Sequence, residues 1–188
     1  MSGDQSSALL PEPGGLSLAA PTPRDVAVSL GGLLALGVVS VSGGGLSAVS
    51  EFPAPLLVQA GGLLLAAPAL LVSHQLLGLY AAPSALVHSV GRGLVRAGHL
   101  ALGLAPAMLF FSATTRTAGL LLALALGLVS VATLSAVWRD LVDAEGAALD
   151  ASATEGVEPM RALAFGWCLL VALLAVRLAW VSFPPMFS

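Results

Sequence analysis

Charge is what this chain has least of. Of its 188 residues, 9% are Asp, Glu, Lys or Arg, against about a quarter in a soluble domain. Lysine is absent: the seven basic residues are all Arg, set against ten acids. A surface so poor in charge does not keep an 18.7 kDa globule in water. The same scarcity removes nucleic-acid binding, because the net charge is −3 and no basic cluster exists. A single Cys excludes a disulfide framework and a Cys-based metal site within one chain. Disorder is excluded from the other direction, since 57% of the residues are hydrophobic. An integral membrane protein is the class that remains.

What is present is apolar sequence in long runs. A transmembrane helix needs about 20 mostly apolar residues, and five stretches qualify: 26–48, 55–80, 94–112, 118–138 and 162–183. Strand alternation is absent, so a β-barrel has no support. Helix is the other way to satisfy a backbone in lipid. The fold expected is therefore all-α, a bundle of five transmembrane helices. The first span is rich in Gly and ends in Gly43-Gly44-Gly45, which reads either as close helix packing or as a break. Residues 1–25 hold Pro11, Pro13, Pro21 and Pro23 and read as a disordered tail. They lack the basic region and continuous apolar core of a signal peptide. The connection 81–93 reads as containing a short interfacial helix, Ser84 to Val90, with Ser84 as N-cap. The connection 139–161 carries six of the ten acids. It reads as a solvated acidic loop, or as an extension of the fourth helix through Asp140 to Leu149. Its Asp140-x-x-Asp143-x-Glu145 spacing does not match an EF-hand.

Counting Arg near the span ends gives an orientation. Arg24, Arg92, Arg96, Arg139 and Arg161 fall on one side, Arg116 and Arg177 on the other. The expectation is a cytoplasmic N-terminus, a cytoplasmic acidic loop and an external C-terminus. Tyr80, Trp138 and Trp180 lie near span ends, as interfacial aromatics do.

Ionisable residues within membrane spans are functional candidates by default. His74 and His99 sit at similar expected depth, roughly 7–9 Å below the inner surface at 1.5 Å per residue. The sharp reading is a His-pair haem or metal site, or a proton-responsive switch; the plain one is two partly hydrated His residues. No carboxylate is expected to orient either ring. With Arg96 they also form a candidate polar cluster at an inner mouth. At the outer side Glu51 and Arg177 are a candidate ion pair. Gln75 is a candidate bridge between helices, and Cys168 reads as packing. No Asp or Glu falls inside the five spans, which argues against ion-coupled transport. No P-loop, His-Glu-x-x-His or Gly-x-Ser-x-Gly motif occurs. No catalytic residue and no cofactor is therefore expected. Pro68 and Pro106 each remove a helix hydrogen bond and read first as packing features.

The order of apolar motifs resembles a family of small bacterial five-span inner-membrane proteins of no assigned function. The residues that carry it are Pro55-Leu56-Leu57, then Ala67-Pro68-Ala69-Leu70, then Ala105-Pro106 through Phe110-Phe111, and finally Ala179-Trp180 through Pro185. The fourth span departs from that pattern, being plain Leu and Ala. The resemblance implies a multi-pass protein of the bacterial cytoplasmic membrane and supplies no catalytic residues.

Three functions follow as expectations. The first is a non-enzymatic structural or accessory subunit, with the bilayer and other membrane-protein subunits or further copies of itself as partners. The second is a passive channel or carrier with a cavity near Pro68 and Pro106. The third is the His74–His99 haem or metal site.

Overall fold

The computed structural model describes residues 21–42, 52–115, 118–149 and 157–182. Among them every regular element is helical. Five helices are long and apolar enough to cross a membrane. These are α1 (Pro23–Ser42), α2 (Ala54–Leu76), α3 (Pro83–Thr114), α4 (Ala118–Ala148) and α5 (Val157–Ser182). The multi-pass membrane fold expected from composition is thus what the chain forms.

The helices run alternately up and down. Ser29 and Gly32 of α1 meet Leu94, Gly98 and Leu102 of α3 in the same sequential order, so those two helices are parallel. Trp167 of α5 reaches Ala66 of α2 while Gly62 meets Val171 and Ala175, so that pair is antiparallel. The bundle therefore has two ends. One carries the turn around Gly78, with the starts of α1, α3 and α5 and the close of α4. The other carries Phe52.

Two apolar clusters fill the interior. Near the Gly78 end, Leu70, Leu86, Leu141 and Met160 are fully buried against Trp167 and Val171. Toward the Phe52 end, Leu33 and Leu36 of α1 pack with Val58, Ala101 and Leu126. The outside is equally apolar: Leu64, Leu65, Leu124, Val131, Phe165 and Val176 are all more than half exposed. Apolar faces inside and out are what a bilayer-embedded helix requires. Tyr80 and Trp180 are exposed near helix ends, as expected of interfacial aromatics; Trp138 is exposed too, but ten residues before the close of α4.

Several local expectations need correction. The first helix starts earlier than Val26, because Thr22 and Asp25 form a reciprocal cap around Pro23. Thr22 Oγ1 accepts from the Asp25 N–H, and the Asp25 carboxylate accepts from the Thr22 N–H and hydroxyl. The 81–93 segment holds no separate interfacial helix, and Ser84 is not a cap. Ala82 takes the N-cap position with Pro83 at N1, and the helix then runs unbroken to Thr114. The reason is a buried stripe of Leu86, Val90, Gly93 and Ala97 at helical spacing, with Gly93 leaving room for Val137 of α4. Nor is 139–161 a solvated loop throughout: its first part takes the other reading, an extension of the fourth helix. Helix α4 continues to Ala148 because Val137, Leu141 and Ala144 prolong its buried stripe past Trp138. Helix α5 begins at Val157, ahead of Ala162. The Gly43–Gly45 run, Glu51 and most of the N-terminal tail lie outside the described residues.

Within α2 the chain makes one π turn at Leu57–Gly61. Gln59 lies within it and points inward, where Nε2 donates to the Leu126 carbonyl at 3.0 Å and to Ser130 Oγ at 2.8 Å. Gln59, and not the exposed Gln75, is the amide that bridges helices.

Candidate functional site: a buried carboxylate beneath the α2–α3 turn

Helix α2 ends in a Schellman turn. Gly78 sits at φ +63, in the left-handed region that glycine enters without a Cβ clash. Its N–H donates to the Gln75 carbonyl at 3.1 Å, and the Leu79 N–H donates to the His74 carbonyl at 3.3 Å. These bonds satisfy the last carbonyls of α2. The next two N–H groups, of Tyr80 and Ala81, belong to neither helix.

Glu145 of α4 takes both. Its Oε1 accepts from Tyr80 N at 2.7 Å and its Oε2 from Ala81 N at 2.9 Å. Oε2 also lies 3.3 Å from His74 Nε2. Glu145 is 0% exposed and His74 2%, so water replaces none of these contacts. A donor hydrogen on His74 Nε2 makes the carboxylate an acceptor in all three. One side chain from α4 thereby fixes the end of α2, the connecting turn and, through Ala81 and Ala82, the start of α3. A carboxylate does orient His74, contrary to the reading of the sequence.

A second polar tie stands beside it. Asp140 Oδ2 accepts from Arg92 Nε at 3.2 Å and Arg96 Nη1 at 3.0 Å. The carboxylate is largely shielded, whereas Arg96 reaches toward solvent. Two guanidinium groups one helical turn apart on α3 thus clasp one acid on α4.

The candidate residues of the sequence therefore separate. His74 is buried on Glu145. Arg96 is held by Asp140. His99 is exposed, its Nδ1 2.8 Å from the carbonyl of Val95 one turn earlier. No hydrogen bond or ion pair joins any two of the three among the described residues, and the His74–His99 pair does not form. Arg177 is exposed on α5. Its proposed partner Glu51 lies outside the described residues. Pro68 and Pro106 face outward and line none of the cleft between α4 and α5. Among the described residues, no group of three His, Cys, Asp or Glu side chains assembles into a metal-binding set.

That cleft measures about 490 Å³ and is lined almost wholly by apolar side chains, including Leu126, Gly127, Val131, Ala172, Val176 and Trp180. Glu145 and His74 do not open into it. Most buried polar side chains bond across helices or back to their own: Ser29 to the Leu94 carbonyl, Gln59 as above, and Ser89 to the Ala85 carbonyl. Trp167 Nε1 donates to the Ala66 carbonyl at 2.7 Å. Thr133 Oγ1 is the exception, buried with no partner among the described residues.

No protein-family model, curated protein or solved structure matches this chain. The functional reading therefore rests on the chain's own geometry.

Three of these residues carried signals in the sequence. Gln59 and His74 extend the α2 stripe Leu63, Ala66, Leu70 at helical spacing in both directions, and Glu145 lies four residues beyond Leu141 on the stripe of α4. Their pairings, with partners 67 to 71 residues away, carried none.

Proposed function

We propose that this chain is a non-enzymatic multi-pass membrane protein, serving as a structural or accessory subunit of a membrane complex. The observation that supports this is where the polar side chains go. Glu145, His74, Asp140, Arg92, Arg96 and Gln59 are engaged in joining helices and turns, so they serve the scaffold. Helix-to-helix ties and close small-residue packing are how membrane helices associate without a hydrophobic driving force. The bundle sits in the bacterial cytoplasmic membrane, like the five-span proteins its apolar motifs resemble. The Arg asymmetry favours a cytoplasmic Gly78 end. The exposed handles for partners are then acids such as Asp143 on α4 and Glu158 on α5; most of the Pro-rich N-terminal segment, a second candidate, lies outside the described residues.

Purification in mild detergent tests the reading directly. The chain is expected to elute with stoichiometric protein partners or as a homo-oligomer; a clean monomer under several mild detergents counts decisively against it. Orientation is checked separately with a C-terminal tag. Protease added to intact spheroplasts is expected to remove that tag, and a protected tag reverses the topology.

A further inference from the structure

Where α4 leaves the apolar region, an open pocket of about 300 Å³ lies between α4 and α5. It is lined by Trp138, Arg139, Val142 and Asp143 of α4 and by Arg161 of α5. Its size is at the lower end of small-ligand sites. Arg139 and Asp143 have no ion-pair partner among the described residues, although they stand one turn apart. Arg161 is engaged through Nη1 with Glu158, 2.6 Å away on its own helix. A guanidinium has five N–H donors, so the remaining ones stay free for a second acceptor.

The chemistry of this lining is specific. Two guanidinium groups from two helices match the oxygens of a phosphate. Alone they would select an anionic ligand. Here, however, Asp143 lines the same pocket and Glu158 offsets Arg161, so the local charges balance. A purely anionic group would face Asp143 with nothing to satisfy it. A ligand carrying a phosphate and a short ammonium satisfies both signs: phosphate on Arg139 and Arg161, ammonium on Asp143 and over the Trp138 ring. Trp138 marks the level of the headgroups, which makes the source of such a ligand the lipid surface itself.

We propose that this pocket between α4 and α5 binds a zwitterionic phospholipid headgroup bearing a primary amine. The three N–H donors of a primary ammonium are what Asp143 requires. A trimethylated amine offers none, and a glycerol headgroup brings no positive charge.

The full chain in detergent, exposed to an equimolar mixture of phosphatidylethanolamine, phosphatidylcholine and phosphatidylglycerol, tests this by native mass spectrometry. Phosphatidylethanolamine is expected to be retained preferentially. Arg139→Gln should reduce its retention roughly fivefold, the scale of one basic group at a membrane surface. Asp143→Asn should leave binding in place but erase the preference over phosphatidylglycerol. Arg24→Gln, the same charge change on α1, should alter neither. All three side chains are exposed, so their replacement leaves the core intact. Equal retention of the three lipids by the wild type, or retention unchanged in Arg139→Gln, overturns the proposal. A preference for phosphatidylglycerol overturns it as well. Soluble glycerophosphoethanolamine binding as tightly as the lipid would reassign the site to a free metabolite and overturn the lipid assignment.

Discussion

Glu145→Ala is expected to destabilise the bundle by about 2–6 kcal/mol, the cost of leaving two backbone N–H donors at the turn without an acceptor. The measurement is the shift in unfolding free energy during SDS titration of the protein in mixed micelles. The size follows from what is left behind. Tyr80 N–H and Ala81 N–H lose their only acceptor, and a buried donor left unsatisfied costs about 1–3 kcal/mol. His74 loses the group its ring addresses. A smaller figure would apply if this were an ordinary side-chain hydrogen bond within a membrane, where the average is about 0.6 kcal/mol. It is not ordinary, because the two N–H groups belong to backbone fixed by the Schellman turn, and the carboxylate is 0% exposed. Glu145→Gln keeps one carbonyl oxygen and should cost less than Glu145→Ala. His74→Ala removes only the 3.3 Å contact and should cost least of the three. A Glu145→Ala protein within 1 kcal/mol of wild type would mean that water reaches the turn, and the tie would lose its structural role.

Glu145 also shows where sequence reasoning stopped. The five spans were legible because a bilayer demands length and apolarity, and both can be read residue by residue. The start of α3 was not, because hydropathy falls before the helix does, and the extension of α4 through Asp140 to Leu149 stood only as one of two readings. Asp140, Asp143 and Glu145 look like a solvated loop when counted as charges. Placed on a helix, Val137, Leu141 and Ala144 continue the inward stripe, and Glu145 falls beside them. The stripe was the better guide than the charge count. The same reading recovers Leu86, Val90 and Gly93, and with them the unbroken α3. The partner of His74 is a different matter. It sits 71 residues away, and the chain passes up and down the bundle between them. Only the bundle geometry brings the two together: α2 packs on α5 and α5 on α4, and Gln59 reaches Leu126 and Ser130 from α2 toward the other end.

The contact between α1 and α3 predicts the second large effect. Gly32 and Gly98 stand where the two helices touch backbone to backbone. A Cβ on Gly98 would overlap the Ser29 main chain, and one on Gly32 would overlap the Gly98 carbonyl. Swinging the Ser29 hydroxyl aside does not relieve the overlap, because the Ser29 main chain stands equally close, so the helices must separate. Gly98→Val is therefore expected to cost about 3 kcal/mol, the upper part of the usual range for overpacking. It should also break the 2.7 Å bond from Ser29 Oγ to the Leu94 carbonyl. Gly103, five residues along the same helix, has nothing within 4 Å of the equivalent position. There an added methyl group meets no neighbour, and Gly103→Ala should raise stability by roughly 0.5–1 kcal/mol through helix propensity alone. The two substitutions, read in the same SDS titration, separate a packing requirement from a general intolerance of change in α3. If Gly98→Val leaves stability unchanged, α1 does not rest on α3 as described. Loss of stability in both variants would instead show that α3 requires glycine for its own conformation, independent of what α1 does.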